Sequence, residues 1–178
     1  MPSAKTHDAI TFMLAAPAGA AAYAATHQVS AALIVGIAFV FGGLMFGPDL
    51  DTVSRQYSRW GILRFLWFPY RHFTPHRSRL SHGLILGAFL RVFYFAGVVT
   101  LVAFTVAYTY ASFAGGRFPR PEDIPVVWRP IAEFVRSHLG GDRFYPLAFI
   151  GVWFGAASHT FTDLAGSFIK TGKVAKFL

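Results

Sequence analysis

Four apolar stretches divide this chain and limit the folds that it can adopt. They cover residues 9–26, 29–46, 84–113 and 145–169. A helix that crosses a bilayer needs about 20 consecutive apolar residues, or somewhat fewer where the bilayer is thin. All four stretches come close to this length or exceed it. The sequence therefore predicts an all-α, integral membrane bundle of about four transmembrane helices that forms a single domain.

Composition agrees with a membrane protein. Hydrophobic residues make up 54% of the 178 residues and charged residues only 13%, whereas a soluble domain carries about 25% charged residues. The formal net charge of +8 comes from basic residues that flank the apolar stretches. We therefore expect them to contact lipid headgroups and not nucleic acid. The chain has no cysteine, which excludes disulfides, thiolate metal sites and cysteine nucleophiles.

The loop of residues 47–83 carries the most unusual set of polar side chains. Asp49 and Asp51 open it, and His76 and His82 close it, with two arginines between the histidines. Carboxylates and imidazoles are the usual protein ligands of zinc, manganese and iron. The middle of the loop, residues 57–70, mixes arginine with tryptophan, phenylalanine and leucine, which predicts a short helix lying in the membrane interface.

Charge bias predicts the orientation of the bundle. Four spans put both termini and the 47–83 loop on one side of the membrane and the 114–144 connector on the other. The first side carries ten Lys and Arg residues and the connector five. Because positive residues favour the cytoplasm, we expect both termini to be cytoplasmic.

Eight acidic and histidine residues then fall at one membrane level. His159 and Asp163 are four residues apart, so they share a helical face. Polar groups inside an apolar span face the bundle interior. Arg91 is expected inside the bundle as a counter-ion, and His27 and His138 are expected in loops on the outer side. The candidate metal ligands are His7, Asp8, Asp49, Asp51, His76, His82, His159 and Asp163.

Each of these features also has a simpler interpretation. Asp49 and Asp51 could neutralise the loop arginines, and the HRSRLSH segment could bind lipid headgroups. His159 and Asp163 could form a hydrogen-bonded pair that holds two helices together. The convergence of five separate segments on one level favours the metal site over these alternatives.

The ordered motifs resemble a known family. HDAIT, GPDLDTVSRQYSRWG, FLWFPYRHFTPHRSRLSHG and SHTFTD look like uncharacterised metal-binding membrane proteins, mostly cyanobacterial, related to the YdjM-like membrane-bound metal-dependent hydrolases. The resemblance covers most of the chain except the connector. It implies that the same histidines and aspartates lie at the metal-site positions of that family, with Asp8 following His7 in the same block.

We therefore expect a metal-binding membrane protein that hydrolyses a phosphate ester or lipid-linked substrate at the cytoplasmic face. Eight candidate ligands exceed the four of one zinc site, so two bridged ions are expected, zinc first and manganese or iron as alternatives. Arg77 and Arg79 are the candidates for stabilising negative charge on the phosphate. The alternative is a non-enzymatic small subunit or assembly factor of a larger membrane complex, with a structural metal or His–Asp cluster. A metal-independent lipid phosphatase is disfavoured because its Lys-x6-Arg-Pro and Ser-Gly-His motifs are absent.

Overall fold

The computed structural model describes residues 3–76 and 78–172, apart from the side chains of Arg79 and Val127. Within these ranges every regular element is a helix, which confirms the all-α prediction. The α-helices are α1 (Ala4–Thr26), α2 (Val29–Met45), α3 (Arg55–Ser58), α4 (Phe68–Phe73), α5 (Arg79–His82), α6 (Leu86–Ala114), α7 (Ile124–His138) and α8 (Phe144–Thr171). Short 3-10 helices lie at Pro48–Asp51, Gly61–Trp67, Pro121–Asp123 and Gly141–Arg143.

Three helical segments of the described chain are long and apolar enough to cross a membrane: α1, the stretch Val29–Asp51 that consists of α2 and the short helix after it, and α6. This finding is compatible with membrane insertion. Helix α8 has 28 residues but is not among them, and it carries a buried polar segment that includes His159 and Asp163. The bundle of four spans therefore stays a prediction.

Helix α1 begins five residues before the predicted apolar stretch. The side chain of Ser3 accepts a hydrogen bond from the backbone N–H of Thr6 at 3.2 Å and caps the helix, which satisfies one of the free donors of the first turn. His7 and Asp8 therefore lie on the helix. His7 and Thr11, one turn further on, are both buried.

The chain divides into two compact units, Met1–Arg91 with Arg143–Leu178, and Val92–Asp142. In the first unit α2 packs against both α1 and α8, and α1 also contacts α8. Helices α2 and α8 approach closely because glycines face main-chain carbonyls across the contact. A Cβ atom at Gly42 would overlap the carbonyl of Val152, and one at Gly155 would overlap that of Phe39. Small residues commonly permit such close packing between membrane helices.

The interfacial helix expected over residues 57–70 is replaced by three short elements. Gly61 has a φ of 55°, a left-handed conformation that interrupts a helix, and Pro69 lies in the first turn of α4. Trp67 is completely buried, with its ring centroid 5.3 Å from those of Phe46 and Trp60. The exposed large apolar residues of this segment are Ile62, Leu63, Phe65 and Phe68. One side of the segment therefore packs into the protein core, and the side with the exposed apolar residues is the one that can face lipid.

In the second unit a side-chain hydrogen bond joins α7 to the middle of α6. The indole N–H of Trp128 donates a hydrogen bond to Thr100 Oγ1 at 3.1 Å. Before α7, the backbone N–H of Arg120 and the guanidinium of Arg117 both bind the carboxylate of Asp123. These contacts lower the pKa of Asp123 because they favour its ionised form.

The first testable prediction concerns the contact between α2 and α8. Gly155→Ala should destabilise the fold by about 1–3 kcal/mol, because the added methyl group forces two helix backbones apart. Gly97→Ala on α6 is the control, since a Cβ there meets nothing within 4 Å. Thermal unfolding in detergent micelles measures both. Equal melting temperatures for the two variants would contradict the close contact.

Candidate metal centre

The first group of candidate ligands joins the start of α1 to the middle of α8. His7, His159 and Asp163 are all buried, and each offers a ligand atom within 4.8 Å of the others. Asp163 Oδ1 lies 3.3 Å from His7 Nε2, and its Oδ2 lies 3.7 Å from His159 Nε2. The two imidazole rings stack at a centroid distance of 3.8 Å. His159 and Asp163 share a helical face, as their spacing predicts.

The second group lies within the 47–83 loop. Asp51, His76 and His82 also offer ligand atoms within 4.8 Å of one another. His76 Nδ1 is 2.9 Å from Asp51 Oδ1, and His82 Nδ1 is 3.8 Å from Asp51 Oδ2. Asp51 and His82 are buried, whereas His76 is exposed. Ser81 Oγ lies 3.0 Å from His82 Nδ1, so the second group has a fixed, buried side and a side open to solvent.

Asp49 lies between the two groups. Its Oδ2 is 3.2 Å from His159 Nε2 of the first group, and its Oδ1 is 3.5 Å from His82 Nε2 of the second. One carboxylate thus contacts a histidine of each group through a different oxygen. This is the arrangement that a bridging carboxylate needs in a two-metal site.

The distances between the donor atoms of these groups suit ligands of one cation better than hydrogen-bonded pairs. Among the described residues, Asp51 Oδ2 and His159 Nε2 are buried and make no hydrogen bond of normal geometry, although His159 Nε2 lies 3.2 Å from Asp49 Oδ2. Such atoms are costly in a protein interior and call for an explanation, for example an ion. Two ligands about 2.1 Å from one zinc ion, at an angle of about 90–110°, lie about 3.0–3.4 Å apart. The contacts of Asp49 and Asp163 fall at or slightly above this separation, and the residues present therefore fit a divalent metal.

Arg91 supports the second group from α6. It is only 2% exposed, and its Nη1 donates a hydrogen bond to the carbonyl oxygen of Ser81 at 2.6 Å. Arg91 therefore fixes the residue that precedes His82 and is the internal cation expected from the sequence. Burial raises the pKa of the neighbouring Tyr70 hydroxyl, and the Arg91 guanidinium opposes that shift.

Asp8 lies in neither group. Its Oδ2 is 2.6 Å from Arg59 Nη2 and 3.6 Å from Arg55 Nη1, so the carboxylate is engaged in an ion pair. The two catalytic candidates cannot be located in the same way. Arg77 lies outside the described residues, and of Arg79 only the backbone is described.

Gln56 is a site residue that the sequence analysis missed. It is buried, and its Nε2 donates to the carbonyl oxygen of Gly43 at 2.8 Å and lies 3.2 Å from His159 Nδ1. Its Oε1 accepts the backbone N–H of Asp49 at 3.2 Å. One amide thus joins the end of α2, the Asp49 turn and α8. A single glutamine in a long loop forms no pattern, and only its position seven residues after Asp49 could have suggested this role.

The second prediction concerns metal content. Asp49→Ala, His82→Ala and His159→Ala should each lose bound metal, because each removes a donor from the two groups. His27→Ala and His138→Ala are the controls. His27 caps the far end of α1, and His138 is exposed at the end of α7. Elemental analysis of protein purified without chelators measures the change. Full retention of metal by the first three variants would contradict the assignment of these residues.

Comparison with known proteins agrees with metal binding. A curated, uncharacterized protein of Aquifex aeolicus is 40% identical over 60 residues, which are 33% of this chain and 42% of that protein. No solved structure matches the chain. The sequence model of a family described as uncharacterized metal-binding proteins, DUF2227, matches residues 2–173. This match covers almost the whole chain, and the protein therefore belongs to that metal-binding family.

Proposed function

We propose that this protein is a membrane-embedded, metal-dependent hydrolase that cleaves a phosphate ester or lipid-linked phosphate at the cytoplasmic face of the membrane. The observation that carries the proposal is the position of the Asp49 carboxylate, which contacts His159 of one ligand group and His82 of the other. Metal binding is the property of the family, and the reaction is our inference from this geometry.

Seven residues are too many for one tetrahedral zinc ion, which takes four ligands. In the proposed centre, His7, His159 and Asp163 would hold one ion. The second group would hold another, and Asp49 lies where it would contact both. The second group consists of Asp51, His76 and His82. Nitrogen and oxygen donors of this kind suit zinc, and manganese or iron are the alternatives.

A catalytic metal site keeps an open position, whereas a structural one is closed by protein ligands. Here Asp49 and the first group line a cavity of about 260 Å³. The second group is reached from solvent past the exposed side chain of His76. Both groups can thus be approached by a small molecule, which favours catalysis over a purely structural cluster.

When bound, a pair of divalent ions stabilises negative charge on phosphate oxygens and lowers the pKa of water. In the proposed reaction water adds to phosphorus, the ester P–O bond breaks, and an alcohol and a phosphate are released. Asp49 holds the two groups at a fixed spacing, and Gln56 orients Asp49 and His159 through its side-chain amide. Arg77 and Arg79 remain sequence-based candidates for binding the phosphate.

The membrane setting is part of the proposal. It is supported by the three long apolar helices and by the exposed apolar edge at Ile62, Leu63, Phe65 and Phe68. The bias of ten basic residues to five supports cytoplasmic termini. We include in the proposal the bacterial inner or thylakoid-type membrane, and a relationship to the YdjM-like hydrolases that rests on the sequence motifs.

The third prediction tests the two-metal hydrolase. Purified protein should contain two metal ions per chain and hydrolyse para-nitrophenyl phosphate or phosphatidic acid in mixed micelles, and chelation should abolish the activity. His82→Ala and His159→Ala should lower kcat/KM at least about 100-fold, since changes outside the first ligands already cost about 10–100-fold. His138→Ala is the matched control. Metal-loaded protein that cleaves no phosphate ester would contradict the hydrolase and favour a structural metal in a larger membrane complex.

The fourth prediction tests the orientation. Reporter fusions after Lys173 and between Gly115 and Gly116 should give opposite signals, with the C-terminal fusion reporting the cytoplasm. The reason is the excess of basic residues on the side of the 47–83 loop. Equal signals, or the reverse pattern, would refute the proposed placement.

A further inference from the structure

The cavity beside the first ligand group also has basic residues in its lining. Candidate metal ligands, among them His159 and Asp163, line it together with Arg55, Arg59 and Asp8. His159 Nε2 lies 3.2 Å from Asp49 Oδ2 but, among the residues that the structure describes, makes no hydrogen bond of normal geometry. One cavity thus contains two guanidinium groups and donor atoms that suit a metal.

The two arginines differ in how firmly they are held. Arg59 donates from Nη1 to the carbonyl oxygen of Leu44 at 2.9 Å and from Nη2 to Asp8 at 2.6 Å. Its side chain is 23% exposed. Arg55 contacts Asp8 at 3.6 Å, beyond hydrogen-bond distance, and is 52% exposed. Since a guanidinium has five N–H donors, Arg55 keeps most of them available for a ligand.

A bound metal makes the charge of this cavity favour an anion. The lining carries the two guanidiniums of Arg55 and Arg59 and three carboxylates, Asp8, Asp49 and Asp163, which gives a formal charge of −1 when the histidines are neutral. A divalent cation held by the candidate ligands would change this sum to +1. An arginine fork binds phosphate through two parallel N–H···O bonds, with more geometric specificity than a lysine.

We propose that this cavity binds the terminal phosphate of the substrate, with Arg55 as its anion-binding residue and Arg59 with Asp8 as the fixed support. The proposal rests on the proposed hydrolase function and narrows its substrate class to phosphate monoesters. A volume of about 260 Å³ lies below the range of about 300–1,000 Å³ that is usual for whole ligands. It accommodates a phosphate and its nearest atoms, and a longer substrate extends out of the cavity.

The experiment follows the modification of Arg55 by phenylglyoxal, an arginine-selective reagent, with peptide mapping by mass spectrometry. Inorganic phosphate should slow the modification of Arg55 about tenfold at saturation, as expected for a charge-assisted contact. It should leave the modification of Arg64 unchanged, because Arg64 is also exposed but lies outside this cavity. Glycerol 3-phosphate and micelles of phosphatidic acid, both phosphate monoesters, are tested in the same way. Stronger protection by the first indicates a soluble substrate, and stronger protection by the second indicates a lipid substrate. Phosphatidylcholine, a diester, should give no protection.

Substitution gives an independent measurement. Calorimetric titration with inorganic phosphate should show about tenfold weaker binding for Arg55→Gln than for wild type, with Arg55→Lys between them and Arg64→Gln unchanged. Metal content is measured on the same samples. Unprotected Arg55, or an Arg55→Gln variant that binds phosphate like wild type at equal metal content, overturns this inference and leaves the metal centre intact. Protection of Arg55 in protein that carries no metal supports the anion site while the hydrolase proposal fails.

Discussion

The close contact between α2 and α8 decides where the polar groups of this protein meet. Helix α2 ends at Met45, and the turn that holds Asp49 and Asp51 follows within a few residues. Helix α8 carries His159 one turn beyond Gly155. With no side chain at Gly42 or Gly155, the two backbones are close enough for Asp49 Oδ2 to lie 3.2 Å from His159 Nε2. The candidate metal centre is therefore a consequence of helix packing.

Burial of Asp51 and Asp163, with Asp49 partly buried beside them, has an electrostatic cost. Carboxylates removed from water need cations or hydrogen-bond donors close to them. The protein supplies Arg91 beside the second group and the imidazoles of His159 and His82 beside the Asp49 carboxylate. Among the described residues, buried atoms such as Asp51 Oδ2 still make no hydrogen bond. The family description and the geometry agree on a metal as the missing cation.

The sequence predicted the parts of this arrangement that depend on local pattern. Long apolar stretches predicted the long helices, and the spacing of four predicted that His159 and Asp163 share a face. The sequence could not show that Asp8 pairs with Arg59, because that contact joins residues 51 positions apart. It could not reveal Gln56 either, and it overestimated the helix over residues 57–70, where Gly61 interrupts the pattern. Each of these unpredicted features is a contact or a turn that depends on the fold of the chain and not on a local sequence pattern.

Sharing of one carboxylate has a thermodynamic consequence for the two ligand groups. A cation that orders Asp49 toward His159 also fixes the oxygen that faces His82, so occupancy of one group changes the affinity of the other. Such coupling is reciprocal: the factor by which the first ion alters binding of the second equals the factor in the opposite direction. The two groups are then linked sites, and the shape of a metal-binding isotherm reports their cooperativity.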